Sequence, residues 1–387
     1  MMRICHVSPH LPPDQAANAL LPAELGAWAQ ARGDIVTFVA HEPAQGREAA
    51  AIGAGRVWRV PRRPGGSGLT RALKIDTVRS ARAIGRALDE AAKDADLLHL
   101  HSNGLIVEVA AAWAGRRGVP YVLTLYGTEI WNYRRRWPFD PFTRAYRRAA
   151  EVTFYSRRLV ERARSLGLDR PGLSVVYPAV GEAFAPVDDR TRTAWRAALG
   201  IKEPLVFLNV KRLHELAGQQ YLIDAFAKVT RGRHDVRLVI CGTGPLRETL
   251  EAQARDAGVA GPVTFTGLLP NAEVARYAAV ADAFVLPSLL EALPTVAVEA
   301  LASGTQVLSA DHPGGLELHE IFGDDVLVVP RRNTDGLAAA MAEILARPAR
   351  VRPGTLDLVR THFGVPAVRR AYDEVYARAR ARARAAS

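Results

Sequence analysis

Cysteine is nearly missing from this chain, with two among 387 residues, and methionine is hardly commoner, with three. Cys5 and Cys241 fall in what read as different domains, so no disulfide framework is expected and burial has to hold the fold. So few thiols suit a reducing compartment, and the expected location is cytoplasmic. No apolar run reaches the ~20 residues that a membrane-spanning helix needs. Met1-Met2-Arg3-Ile4-Cys5 leads straight into a strand pattern, so no signal peptide is read there. Zinc-ligand spacings, RNA-binding aromatic motifs and recognition-helix patterns are missing as well, which argues against a nucleic-acid partner. There is no internal repeat beyond an alternation of strands and helices, and no low-complexity linker.

What is present is ordinary for a soluble globular protein: 49% hydrophobic and 24% charged residues, in a chain long enough for two domains. The balance is basic, +11, which favours polyanionic or phosphorylated partners. Two arginine runs are local, Arg134-Arg135-Arg136 and the alternating series from Arg378 to Arg384. The second reads as a solvated helix end whose cations suit the helix dipole, with contact to an anionic membrane surface as the alternative. On that alternative the protein would sit peripherally at the inner face of a membrane.

Short apolar runs alternate with longer amphipathic stretches, the mark of βα units and parallel sheets. Strands are expected at Arg3–Val7, Ile35–Val39, Val57–Val60, Leu97–Leu100, Tyr121–Leu125, Val152–Tyr155 and Ser174–Val176. A second series follows at Leu205–Val210, Arg237–Cys241, Pro262–Thr266, Ala283–Pro287, Gln306–Ser309 and Val326–Val328. Helices are expected between most of them, among them Leu73–Ala92, Gln219–Val229 and Thr295–Ala302. The fold class is therefore α/β, with two doubly wound Rossmann-like domains, 1–184 and 185–364. Pro178 to Arg196 is expected as a linker. Two such domains facing across a cleft would bind ligand at the carboxyl ends of their strands.

The stretch Ser288-Leu-Leu-Glu291-Ala-Leu-Pro294-Thr-Val-Ala-Val-Glu299-Ala-Leu-Ala-Ser-Gly304 carries the most information. It follows a buried strand, and Pro294 and Thr295 suit a helix start. Helix N-termini offer free N–H groups and partial positive charge to a phosphate. Carboxylates on either side, Glu291 and Glu299, are suited to hydroxyls instead. The ligand implied has hydroxyls on both sides of a phosphate, and a nucleotide sugar fits.

The Glu, seven residues, Glu spacing resembles the signature of retaining glycosyltransferases of family 4, and the surrounding Ser-x-x-Glu, Pro and Glu-Ala-Leu-Ala-Ser-Gly are similar too. That resemblance implies the GT-B architecture, with a terminal helix, about 365–387, packing back on the first domain. It implies that Glu299 accepts the ribose hydroxyls and Glu291 those of the donor sugar, while Ala292, Leu293, Pro294, Thr295 and Val296 meet the sugar and phosphates. Lys211-Arg212-Leu213 stands where the family has Gly-Arg-Leu, which gives Arg212 to the diphosphate. Gly242-Thr243-Gly244-Pro245 matches a Gly-x-Gly-Pro turn, and Gly267 and Leu268 stand at a turn whose backbone meets the base. In the first domain Ala17 and Asn18 stand in a loop that usually carries glycines against the donor phosphates, and are expected to contact donor or acceptor; Tyr126 replaces a His beside the reacting sugar. Glu129 and Trp131 are expected on the acceptor side. His99 and His101 read as structural, and no metal or other cofactor is expected.

One departure matters more than the rest: Ala217 stands where the family carries a second diphosphate-binding Lys. The resemblance thus implies an enzyme moving a sugar from a nucleoside diphosphate sugar, by default a UDP-sugar, to an acceptor hydroxyl on a small molecule, glycan or lipid. Ala217 adds the reading of a form weakened or inactivated by nature or by design. The alternatives are a sugar-nucleotide epimerase of the same fold, or a nucleotide-sugar-binding protein without turnover.

Overall fold

The computed structural model describes residues 1–14, 17–43, 52–62, 75–136 and 138–386. Two compact units divide the chain, Met1–Val176 with Arg369–Ser387, and Tyr177–Val368.

In the first unit seven strands form one parallel sheet: β1 (Arg3–Ser8), β2 (Ile35–His41), β3 (Arg56–Val60), β4 (Leu97–His101), β5 (Tyr121–Leu125), β6 (Glu151–Phe154) and β7 (Leu173–Val175). Their spatial order is β3-β2-β1-β4-β5-β6-β7. The central strands are largely apolar because helices cover both faces, with His6, His99, His101 and Thr124 as buried polar exceptions. All five residues of β4 and all five of β5 are buried. Leu73 and Lys74, at the start of the expected helix Leu73–Ala92, lie outside the described residues; Ile75–Ala91 is helical.

The second unit has six parallel strands: β8 (Leu205–Val210), β9 (Val236–Cys241), β10 (Val263–Gly267), β11 (Ala283–Leu286), β12 (Gln306–Ala310) and β13 (Val326–Val329). Their order is β10-β9-β8-β11-β12-β13. Alternate residues feed two cores. Val206, Leu208, Val239, Phe284 and Val307 pack on one face, and Phe207, Leu238, Ile240, Val285 and Leu308 on the other. Each such side chain contributes about 1.5–3 kcal/mol relative to exposure.

The expected boundary after residue 184 differs from the division at Tyr177. Tyr177 stacks on Phe363 with ring centroids 4.7 Å apart, and Val180 N–H donates to the Phe363 carbonyl at 2.8 Å. Val180 and Phe184 are core residues of the second unit. The expected linker also proves to be structure: Asp188 caps a helix, Asp189–Ala198, by accepting from Thr191 N–H. Arg192 and Arg196 of this helix both pair with Asp282, at 2.6 and 2.8 Å, and Asp282 also accepts from Val206 N–H at 2.7 Å. Their charge looked like that of a solvated linker because its partner lies some ninety residues on.

The chain ends in a helix, Val365–Ala386, and Ser387 lies outside the described residues. Tyr372 and Tyr376 of this helix are buried, and the Tyr376 hydroxyl bonds His99 Nδ1 at 2.8 Å. Among the described residues no helix is long and apolar enough to cross a membrane.

Candidate active site

The second sheet reverses its strand order between β8 and β11, the point where open parallel sheets take ligands. Here β8 and β11 pair only through Phe207–Ala283 and Leu208–Phe284, so they part before their carboxyl ends. Asn209 bridges the gap, its amide donating to the Val285 carbonyl at 2.8 Å. Gln219 donates to Asn209 Oδ1 at 3.4 Å and to the Arg212 carbonyl at 3.3 Å. Both amides are fully buried, and these bonds offset part of the cost of burying them; Gln219 Oε1 has no partner among the described residues. Sequence reasoning missed both residues.

Past β8 the chain carries Lys211 and Arg212. Lys211 N–H donates to the Cys241 carbonyl at 3.0 Å, and Leu213 N–H to the Thr243 carbonyl at 2.9 Å. Gly242 has φ +144°, and a Cβ there would lie 2.1 Å from the Lys211 carbonyl oxygen; at Gly244 it would lie 2.1 Å from that of Leu213. The glycine turn therefore gives a backbone-to-backbone fit that sets the Lys211–Leu213 segment. The Arg212 side chain is exposed and makes no ion pair or side-chain hydrogen bond among the described residues. Lys211 Nζ, which sequence reasoning passed over, lies 2.6 Å from Glu291 Oε1. Ala217 closes a short 3₁₀ turn, Glu215–Ala217, and is fully buried.

The Glu291 loop is anchored at three points. Gly314 N–H donates to the Glu291 carbonyl at 3.1 Å, Leu289 N–H donates to the Leu216 carbonyl at 2.8 Å, and Arg331 donates to the Leu289 carbonyl at 3.2 Å. Pro294 then starts the helix Thr295–Ala302, whose first turn has no side-chain cap. Its leading N–H groups, at Thr295 and Val296, have no hydrogen-bond partner among the described residues. Ala292 is half-buried, and Leu293 and Pro294 are buried. Glu299, one turn in, is half-buried with no hydrogen-bond partner for its carboxyl among the described residues. Burial pushes that carboxyl up to about 7. His312, which caps the next helix by accepting from Gly315 N–H, is pushed down to about 4 by burial and so stays neutral. Gly267 has φ +77° and its carbonyl accepts from Gly242 N–H at 2.8 Å, while Leu268 beside it is 64% exposed.

Ala17, Asn18, Tyr126, Glu129 and Trp131 belong to the first unit. Gln15 and Ala16, in the loop before Ala17, lie outside the described residues. Ala17 begins the helix Ala17–Ala31, and the Asn18 carbonyl accepts from Ser8 Oγ at 2.5 Å. Glu129 is not on an open acceptor face. It is 5% exposed and accepts from Ser102 Oγ at 2.5 Å and from the N–H groups of Tyr126 and Gly127 at 3.2 and 2.9 Å. Those backbone donors turn the carboxylate inward to brace the end of β5. Trp131 is half-buried, its Nε1 without a partner among the described residues. The Tyr126 hydroxyl bonds His101 Nδ1 at 2.8 Å, so it points into the sheet.

His6, His99 and His101 bring ligating atoms within 4.8 Å of one another. His6 Nδ1 bonds His101 Nε2 at 3.0 Å, and His99 Nε2 bonds Thr124 Oγ1 at 2.6 Å. With Tyr376 and Tyr126, these partners engage both ring nitrogens of His99 and of His101, so a metal would have to displace them. Burial lowers the affinity of all three imidazoles for protons, with His6 at about 3. The trio is a neutral hydrogen-bonded stack inside the sheet.

The family described as "Glycosyl transferases group 1" matches residues 191–354, and "Glycosyl transferase 4-like domain" matches residues 22–179. A GDP-mannose-dependent alpha-(1-6)-phosphatidylinositol monomannoside mannosyltransferase of Mycolicibacterium smegmatis is 33% identical over 250 residues, 61% of this chain and 63% of that protein. A 2-deoxystreptamine glucosyltransferase of Streptomyces kanamyceticus is 28% identical over 271 residues, 66% of this chain and 70% of that protein. In fold, the chain matches a sucrose-phosphate synthase from Thermosynechococcus elongatus with TM-score 0.78 at 21% identity, covering the whole of both chains. Anabaena Alr3699/HepE, solved with UDP and glucose, matches with TM-score 0.73 at 17% identity over 97% of this chain and all of that one.

Proposed function

Because the chain belongs to the group 1 glycosyltransferases, with a 4-like first domain, we propose that it transfers a sugar from a nucleoside diphosphate sugar to an acceptor hydroxyl with retention at the anomeric carbon. The observation that carries the reading is the uncapped helix start at Thr295, flanked by Glu291 and Glu299 where the strand order reverses. Glu299 accepts the ribose hydroxyls, Glu291 those of the sugar, and Arg212 with the helix N-terminus takes the diphosphate. The backbone at Gly267 and Leu268 meets the base. Negative charge grows on the leaving diphosphate in the transition state, and fixed positive groups there lower the barrier. The leaving phosphate oxygen takes the acceptor's proton, so transfer needs no carboxylate base and no metal.

UDP-sugar is the default donor, and GDP-mannose stands beside it because the 33% identical relative is named for it. The test is thermal stabilisation by UDP-glucose and GDP-mannose, followed by transfer assays with hydroxyl acceptors, with and without EDTA. Stabilisation by one donor and an axial product from an axial donor, at a rate EDTA leaves alone, support the reading. Conversion of the donor sugar without acceptor would favour an epimerase. Binding without transfer would favour the non-catalytic reading that Ala217 suggests.

The Glu299 carboxyl sets a pH dependence. Its folded value of about 7 lies above the ordinary 4.5, so the free protein loses stability as pH rises from about 4.5 through 7. Ribose hydroxyls donate to the ionised form, so donor affinity is expected to fall below pH 7, approaching about tenfold per unit. Calorimetry with the donor sugar between pH 5.5 and 8 measures this. A slope that survives in Glu299→Gln would remove the assignment.

The acceptor side carries the membrane proposal. Arg134, Arg135, Arg136, Arg144, Arg147 and Arg148 are all exposed, and Phe139 among them is 83% exposed. Arginines around an exposed aromatic suit an anionic lipid surface. Vesicles containing about 30% anionic lipid are expected to sediment the protein at low salt and release it at high salt. Equal binding to neutral vesicles would count against this surface.

A further inference from the structure

Arginine carries nearly all the positive charge of this chain, for only five of its 51 basic residues are lysines. One of the five, Lys211, stands just past the carboxyl end of β8, beside Arg212, where the strand order reverses. Its backbone is held by the Cys241 carbonyl and by the close fit of Gly242. Only the side chain is free to move. Its ammonium sits on Glu291, with the two side chains 23% and 14% exposed.

This pair is built to exchange. A lysine ammonium on a four-carbon stem is a point charge with three rotatable donors, whereas an arginine fork would lock a carboxylate in two bonds. The carboxylate it holds is the one assigned to the donor sugar. When sugar hydroxyls take Glu291, the ammonium needs a new anion, and the nearest on offer is the diphosphate of the same ligand. Ala217 supplies no charge, being a buried methyl in a tight turn.

We propose that Lys211 is the second cation, beside Arg212, that binds the donor diphosphate, giving up Glu291 for a phosphate oxygen as the donor enters. The proposal rests on the donor-site reading above. In the transfer step the bond from the anomeric carbon to the diphosphate oxygen breaks and its electron pair stays on that oxygen. The acceptor oxygen bonds the anomeric carbon, and the acceptor proton passes to the leaving diphosphate. Lys211 keeps its proton throughout and stabilises the charge that the diphosphate gains. Ala217 is then no sign of inactivation, since the cation that position lacks arrives from the end of the strand.

The test compares nucleotides with their phosphate-free nucleosides: UDP and GDP against uridine and guanosine, by calorimetry, on wild type, Lys211→Met and Lys211→Arg. Lys211→Met is expected to weaken binding of the cognate nucleotide about 10–100-fold and to leave the nucleoside unchanged, while Lys211→Arg, whose fork holds Glu291 more firmly, keeps only part of the affinity. Lys211→Gln gives the same readout if the Met variant fails to fold. Should Lys211 only position Glu291, Lys211→Met would bind the nucleotide as wild type does and lose affinity for the donor sugar alone, which overturns the proposal but not the donor site. If wild type binds neither nucleotide, the donor-site reading falls and this proposal with it.

Discussion

Arg212→Ala is expected to lower kcat by about 10²–10³-fold, the usual cost of removing one charge contact to a developing anion. The guanidinium is exposed at the carboxyl end of β8 and unpaired among the described residues, so deleting it leaves no buried partner behind and should not unfold the protein. The loss should fall on kcat and kcat/KM together, because the diphosphate is more negative in the transition state than in the bound donor. Arg212→Lys should recover part of the rate, since a point charge replaces the fork but not its second hydrogen bond. Initial rates over a range of donor concentrations decide the matter. A variant with unchanged kcat and raised KM would place Arg212 in binding that the ground and transition states share equally.

The two sheets were legible in the sequence because parallel strands covered on both faces must be written as short apolar runs. Each of the thirteen expected strands is found, within two residues at either end. Several helices were not seen, although their start signals were present. Asp140 before Pro141, Ser156 before Arg157 and Asp188 before Asp189 each cap a helix by accepting from an N–H three residues on. These helices are eight to ten residues long and rich in arginine, so their apolar period is short and their charge masks it.

The second-unit site was legible to the extent that its residues are consecutive. Glu291, Pro294, Thr295 and Glu299 lie on one loop and helix, and local geometry carries from sequence to structure there. What escaped was pairing at a distance. Lys211 reaches a carboxylate eighty residues away, and nothing local to either residue announces the other. Glu129 shows the reverse error, a carboxylate among aromatics that looked open to a ligand and is instead consumed by the backbone of its own turn.

The largest stability effect is expected at the arginine run that looked solvated. Arg378 and Arg382, one turn apart on the terminal helix, both reach Glu151, at 3.4 and 3.1 Å. The Glu151 side chain is 1% exposed at the start of β6, so its charge depends on them. Arg378 also donates to Ser174 Oγ at 3.1 Å and Arg382 to the Ala150 carbonyl at 3.3 Å, which ties the helix to the edge of the first sheet. Replacing both arginines by alanine is expected to cost about 3 kcal/mol, the low end for stranding a buried charge, because the guanidinium groups are themselves partly exposed. Either single replacement should cost much less than half, since the remaining arginine still faces the carboxylate. Adding Glu151→Gln to the double variant should return part of the loss by removing the stranded charge. Urea unfolding of wild type and the four variants measures this. A double variant within about 1 kcal/mol of wild type would return the run to the solvated helix end that its sequence suggests.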